Sequence, residues 1–387
     1  MTLRVASHAG ANAGSLTTHA APRKTFFSLR PFSPYIYAID CTLPRRATIQ
    51  DIARSLQVNA ATVSRALNNH PAISAATKDA VHRAARALHY QPNRVASSLR
   101  LGKTRILGVM IPSAEINFFG SVVHGIEKVA SEQDYNIIIY QSNESEDWER
   151  RGVQTFLRSQ VDGVLVSVAK GTTDPAHWLA LQKQRIPLVL FDRVNATLPV
   201  PSVSIDDRKG AFLATGHLAV QGYRRIAFIG GQAHVPIWAA RLQGYREALL
   251  HHGLPFDPAL VVHGDVSVDS GAACMEALLE LKKRPDAVCC VEDFTALGAL
   301  QALRARGIAV PDEMGVVGFA NEAFGAFITP SLTTVDQQTV RMGEEAARLF
   351  FALSGRESFY SGKPKRLVLE PTLVVRDSSQ KNLTGKK

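Results

Sequence analysis

The chain has 387 residues, 46% of them hydrophobic and 20% charged, with a formal net charge of +10. That length fits two or three globular domains. No apolar run approaches the roughly 18 residues of a membrane-spanning helix, which excludes that class of membrane protein. The charge is unevenly placed. Residues 1–44 carry +3 (Arg4, Arg23, Lys24 and Arg30 against Asp40), and Arg45 to Lys103 carry +8 (ten Lys/Arg against Asp51 and Asp79), leaving −1 for the rest. A nearly neutral body with one basic module points to nucleic acid rather than to general membrane attraction.

Residues 1–46 mix small polar residues, Pro and scattered aromatics without periodicity, and are expected to be a disordered extension, with a basic DNA-touching arm as the alternative. Arg4 is not followed by an apolar stretch, so no secretory signal is expected. Cys41, Cys274, Cys289 and Cys290 show no CxxC spacing. They read as reduced core cysteines of a cytoplasmic protein, and no metal site or cofactor is expected.

Residues 47–92 predict a compact set of short helices. Thr48 can cap the first, with Asp51 three residues on, and Ile49, Ile52, Ala53 and Leu56 share one face. Gln57-Val58-Asn59 breaks the pattern, and Asn59 caps a second helix over 60–67. A third, roughly 74–88, is expected to bury Ala80, Val81, Ala84, Ala85 and Leu88. Two helices too short to stand alone, joined by three or four residues, fit a helix-turn-helix, and the local +8 charge suits phosphate neutralisation.

The run ATIQDIARSLQVNAATVSRALN, followed by TKDAV and LHYQPNRVASSLR, closely resembles the headpiece of the LacI/GalR (lactose-repressor/galactose-repressor) family, and the resemblance continues to about residue 376. It implies that Ala60 and Ala61 begin a recognition helix offering apolar contacts. Arg65, one turn on, is then the candidate for a bidentate guanine contact, with a plain phosphate contact as the alternative. Thr48, Asn59, Thr62, Ser64 and Asn68 are candidate phosphate or positioning contacts. Residues 93–102 match the family's hinge helix, with Asn93, Arg94 and Ser97 at the DNA and Leu99 as the minor-groove wedge. Two copies imply a homodimer on near-palindromic operator DNA.

Beyond the hinge, strands and helices alternate. Strands are predicted over 105–111, 136–140, 163–168, 187–191, 226–229, 260–262, 287–290 and 315–319. Helices are predicted over 119–133, 147–159, 175–184, 208–221, 241–251, 269–282 and 294–306, and 332–353 returns as strand plus helix. Continuous apolar strands in repeated βα units predict an α/β fold of doubly wound parallel sheets. The run is expected to divide near 193–201. The resemblance implies a periplasmic-binding-protein-like core over 103–376, two lobes with a small-molecule cleft between them, before a flexible tail over 377–387.

For that cleft the resemblance suggests Phe118 and Phe119 (one of the two being equally readable as a core residue), Asp192, Arg193, Arg241 and Gln337. This chain departs from its relatives at Ile116, Glu292 and Ala320, so Glu292 and Asn321 are candidate substitutes for the missing carboxylate. The expected function is transcription regulation, as a repressor controlled by a sugar or sugar derivative. The alternative is a periplasmic-type solute-binding protein without catalytic activity. Gly230-Gly231 after a strand hints at a phosphate loop, but there is no GxGxxG, GxxxxGK[ST] or GxSxG, so no enzyme is expected.

Overall fold

The computed structural model describes residues 47–91, 102–194, 197–354, 359–360 and 362–381. The hinge residues Asn93, Arg94, Ser97 and Leu99 and the extension 1–46 lie outside them. The chain divides into a unit ending at Gln91 and one beginning at Pro92.

The first unit is three helices, α1 (Ile49–Ser55), α2 (Ala60–Leu67) and α3 (Ala75–Ala87). Each opens on a side-chain cap: Thr48 accepts from the Asp51 N–H in a reciprocal capping box, Asn59 from Thr62, and Ser74 from Thr77. Ile52, Ala53, Val63, Ala66, Val81 and Ala85 form the core. Ala80 and Ala84 are only half-buried and Leu88 is exposed, because the chain turns at His89 and sends Tyr90 back onto the core instead.

The second unit holds two lobes. Lobe one carries β1 (Ile106–Ile111), β2 (Asn136–Gln141), β3 (Gly163–Val166), β4 (Leu188–Phe191), β5 (Ser202–Ile205) and β11 (Arg366–Leu369). They form a parallel sheet in the order β11-β5-β4-β3-β1-β2. Around it lie α4 (Asn117–Glu132), α5 (Glu146–Arg158), α6 (Ala176–Lys183) and α11 (Thr339–Ser354). Helices α4 and α11 touch backbone to backbone: a Cβ on Gly343 would overlap the Val122 carbonyl, and one on Gly125 the Val340 carbonyl.

Lobe two carries β6 (Ile226–Gly230), β7 (Val261–His263), β8 (Ala287–Cys290) and β9 (Gly315–Val317), a parallel sheet in the order β7-β6-β8-β9. Helices α7 (Asp207–Val220), α8 (Pro236–His251), α9 (Val268–Leu279) and α10 (Asp293–Ala305) pack on it, beside an antiparallel pair, β10 (Thr334–Asp336) with β12 (Thr372–Val374).

Two expectations need correction. The lobes do not part near 193–201: β5 lies beyond that point and still pairs with β4 and β11, so the chain first leaves lobe one at Asp206. Its polar alternation hid it, and its partner β11 comes some 160 residues later. The tail, expected to be flexible from residue 377, begins instead as a built-in turn over Asp377–Ser379. Ser378 Oγ accepts from Thr333 N and donates to the Val316 carbonyl, and Ser379 Oγ bonds His217 Nε2 at 2.8 Å. Both serines are fully buried.

Candidate functional site

Between the lobes, beyond the carboxyl ends of their strands, lies a cavity of about 390 Å³. That is where ligands sit in doubly wound sheets. Phe118, Phe119, Asp192, Arg193, Arg241, Glu292 and Gln337 all line it, so the fold brings seven of the eight candidate cleft residues together.

Phe118 and Phe119 start α4 and meet edge to face with ring centroids 5.0 Å apart. Both belong to the lobe-one core as well as to the cavity wall. Asp192 ends β4 with a left-handed backbone (φ 61°), which turns its carboxylate inward to accept the Ser167 hydroxyl at 3.1 Å. Burial pushes its carboxyl above the ordinary aspartate range, although Arg193 and Arg241 pull the other way.

Arg193 donates to Glu144 at 2.7 Å, and its Nε is buried without a hydrogen-bond partner among the described residues. Its guanidinium lies 5.9 Å from the Phe119 ring and 6.0 Å from the Trp238 ring, one aromatic from each lobe. Arg241 is 2% exposed. It donates to Asp207 Oδ1 (2.8 Å), the Val291 carbonyl (2.6 Å) and Gln337 Oε1 (3.2 Å), and stacks 3.6 Å over Phe319. What a ligand can draw from these two cations is limited by what they already hold: each is neutralised by a carboxylate.

Glu292 caps α10 by accepting the Phe294 N–H at 2.7 Å. Burial first, and the neighbouring Asp293 second, push its carboxyl well above the usual range. Asn321 does not reach the cavity. Its Nδ2 donates to Asp336 and its Oδ1 accepts from Arg376, so it ties strand ends together and does not replace the carboxylate that Ala320 lacks. Sequence reasoning missed Trp238, Ile237, Lys170, Glu144, Asp265 and Phe294, all of which line the cavity. For Ile237 and Trp238 a signal was present: Pro236 is a natural first residue for α8, which begins five residues before the predicted start.

In the headpiece, Ala60, Ala61, Arg65 and Asn68 are exposed along α2 while Thr62 and Ser64 are half-buried. Thr48 and Asn59 spend their side chains on caps, Thr62 donates its hydroxyl to Asn59, and Asn68 donates to the Ser64 carbonyl at 2.7 Å. Arg65 is exposed and makes no ion pair among the described residues. That geometry leaves it as the long cationic side chain that α2 itself presents.

Known proteins agree with both regions. Residues 48–93 match the family described as bacterial regulatory proteins, lacI family, and residues 215–379 match a periplasmic binding protein-like domain. Catabolite control protein A of Priestia megaterium is 35% identical over 312 residues, covering 80% of this chain and 93% of that protein. The chain belongs to the LacI family.

Among solved structures, a complex of the LacI-family chain's relative CelR, a transcriptional regulator, with cellobiose superposes with a TM-score of 0.65 at 34% identity, covering 86% of this chain and all of that one. The lac repressor dimer bound to operator and the anti-inducer ONPF gives 0.77 at 25% identity, with 87% and 99% covered. As a LacI-family member the chain is a DNA-binding transcriptional regulator with a two-lobed sensor core. The solute-binding alternative finds no support, since the headpiece itself is matched.

Proposed function

We propose that this regulator is a dimeric, non-enzymatic repressor whose hold on a near-palindromic operator is set by an uncharged, hydroxyl-rich ligand, a sugar or sugar derivative, in the inter-lobe cleft. The observation that carries this reading is the cavity's pairing of aromatic walls with arginines that are already paired to carboxylates. Phe119 and Trp238 supply apolar faces for a sugar ring. Arg241 is matched by Asp207 and Arg193 by Glu144, Lys170 stands with Asp265 and Glu115 in the lining, and burial pushes Glu292 towards its neutral form. An anionic ligand would find both arginines already paired with carboxylates. Ligand hydroxyls can instead donate to carboxylates and accept from Arg193 Nε.

A ligand that prefers one lobe arrangement shifts the regulator by its differential affinity, typically about 1–3 kcal/mol. The test is binding-site selection with purified full-length protein at stated salt, with neutral sugars, sugar acids and sugar phosphates added in turn. A palindromic site whose occupancy responds to a neutral sugar supports the reading. A response confined to anionic sugars overturns the ligand class, and no specific site under any condition overturns the whole.

A further inference from the structure

Helix α4 opens without a cap of its own. Its N-cap residue, Ile116, has no polar side-chain atom, and no side-chain cap bond forms there. The first N–H groups of a helix need acceptors, and a negative charge suits that end. Here the acceptor arrives from the other lobe: Glu322 Oε1 takes the Phe118 N–H at 3.2 Å, and the Asn117 side chain also bonds that carboxylate.

Glu322 is 3% exposed and does not line the cavity. Its seat is built for the purpose of aiming it. The two residues before it, Ala320 and Asn321, both have positive φ (139° and 57°), a strained turn for non-glycine residues. Its own N–H donates to Asp293 Oδ2 at 2.7 Å, and Asp293 Oδ1 is fixed by the Thr334 hydroxyl at 2.6 Å. A third carboxylate is thereby brought close to Asp293 and Glu292, an arrangement that repels and so needs the donors of α4.

We propose that Glu322 is a positioning residue: a cap supplied across the cleft, which ties the setting of Phe118 and Phe119 to the angle between the lobes. A local cap would keep α4 ordered whatever the lobes did. This one holds only while lobe two stays within reach, so separation of the lobes releases the start of α4 and with it the aromatic wall. The inference rests on the cleft reading only for the meaning of that wall; the bond and its consequences stand apart from any ligand or operator.

The test uses the full chain without ligand, as wild type, Glu322→Ala, Glu322→Gln, and Glu322→Ala combined with Ile116→Asn, which installs a local cap. Amide hydrogen exchange is read over residues 117–119 and lobe separation by small-angle scattering. Glu322→Ala is expected to speed exchange at Phe118 about tenfold and to raise the radius of gyration. Glu322→Gln keeps an acceptor oxygen and should retain part of the protection. The double variant should recover the exchange protection while the lobes stay loosened. Unchanged exchange in Glu322→Ala overturns the cap. A radius that never changes, or that returns with Ile116→Asn, overturns the tie between lobes. Neither result depends on whether a sugar or an operator is ever found.

Discussion

The headpiece and the cleft use polar side chains in opposite ways. In the headpiece, Thr48, Asn59 and Ser74 are exposed and serve neighbours three residues along, so each bond is local and the site left over is a surface one. In the cleft, Arg241 is buried and reaches Asp207, Val291 and Gln337, which lie 34, 50 and 96 residues away in the chain. A local arrangement tolerates the loss of any one member. A buried, long-range one does not, because each group removed strands another away from water.

The largest expected effect follows from that contrast. Arg241→Ala leaves Asp207 buried beside no cation, and removal of one partner of a buried pair costs about 3–5 kcal/mol. The core's urea midpoint should fall sharply while the headpiece transition stays in place. Arg241→Lys should restore only part, since an ammonium cannot hold three acceptors in the guanidinium plane. A core unaffected by Arg241→Ala would erase the distinction between the two regions.

Next comes pH. Burial raises the Asp293 carboxyl to about 6, and Asp207 is likewise pushed up to about 6 by burial against the pull of Arg241. An unfolded aspartate loses its proton near pH 3.9, on the order of two units lower. Between about 4 and 6 the folded core therefore holds protons that the unfolded chain has lost, and core stability falls as pH rises through that window. The contribution is of order 1–3 kcal/mol per group. Asp293→Asn should flatten the slope measured by urea unfolding at successive pH values. The headpiece buries no carboxylate among the described residues and should not share it.

The same division explains what could be read from the sequence. Helix α2 is legible residue for residue, from 60 to 67, because its cap signal, Asn59, lies directly before it. Strands β5 and β11 are not legible because their shared edge joins segments far apart: β5 alternates polar and apolar residues, and the apolar run of β11 is only three residues long. The cleft is a further step removed. Its members sit at the ends of strands and helices from both lobes, and periodicity alone would not have assembled Phe119, Asp192, Arg241 and Gln337. The family resemblance did that. It did not foresee that Asn321 would turn away to Arg376, since that depends on the backbone set at Ala320 and Asn321. Nor did it mark Glu322, whose role follows from an uncapped helix in the opposite lobe.

A smaller effect is expected at Arg65. Its side chain is exposed, so Arg65→Ala should leave the headpiece's melting unchanged. A lost guanine contact would cost about 1–3 kcal/mol against the selected site alone. If Arg65 holds only phosphate, binding should weaken about equally on all sequences and the salt slope should drop by about one. Competition between specific and random duplexes across a salt series separates the two.

The smallest effect sharpens the comparison most directly, because Asn59 was a candidate DNA contact and the fold gives it other work. Asn59 Oδ1 accepts both the backbone N–H of Thr62, at 2.7 Å, and its hydroxyl, at 2.9 Å. Asn59→Ala removes that cap and should destabilise the headpiece by about 1 kcal/mol. Asn59→Asp keeps the acceptor and suits the helix start, so the headpiece should melt as wild type does. On DNA the order reverses, for a carboxylate at the start of α2 would face phosphate while alanine would not. Melting that ranks Asp above Ala, together with DNA affinity that ranks Ala above Asp, identifies Asn59 as a cap standing at the interface. If both variants melt like wild type and bind DNA equally poorly, its side chain reads the operator after all, and the headpiece is less local than its hydrogen bonds suggest.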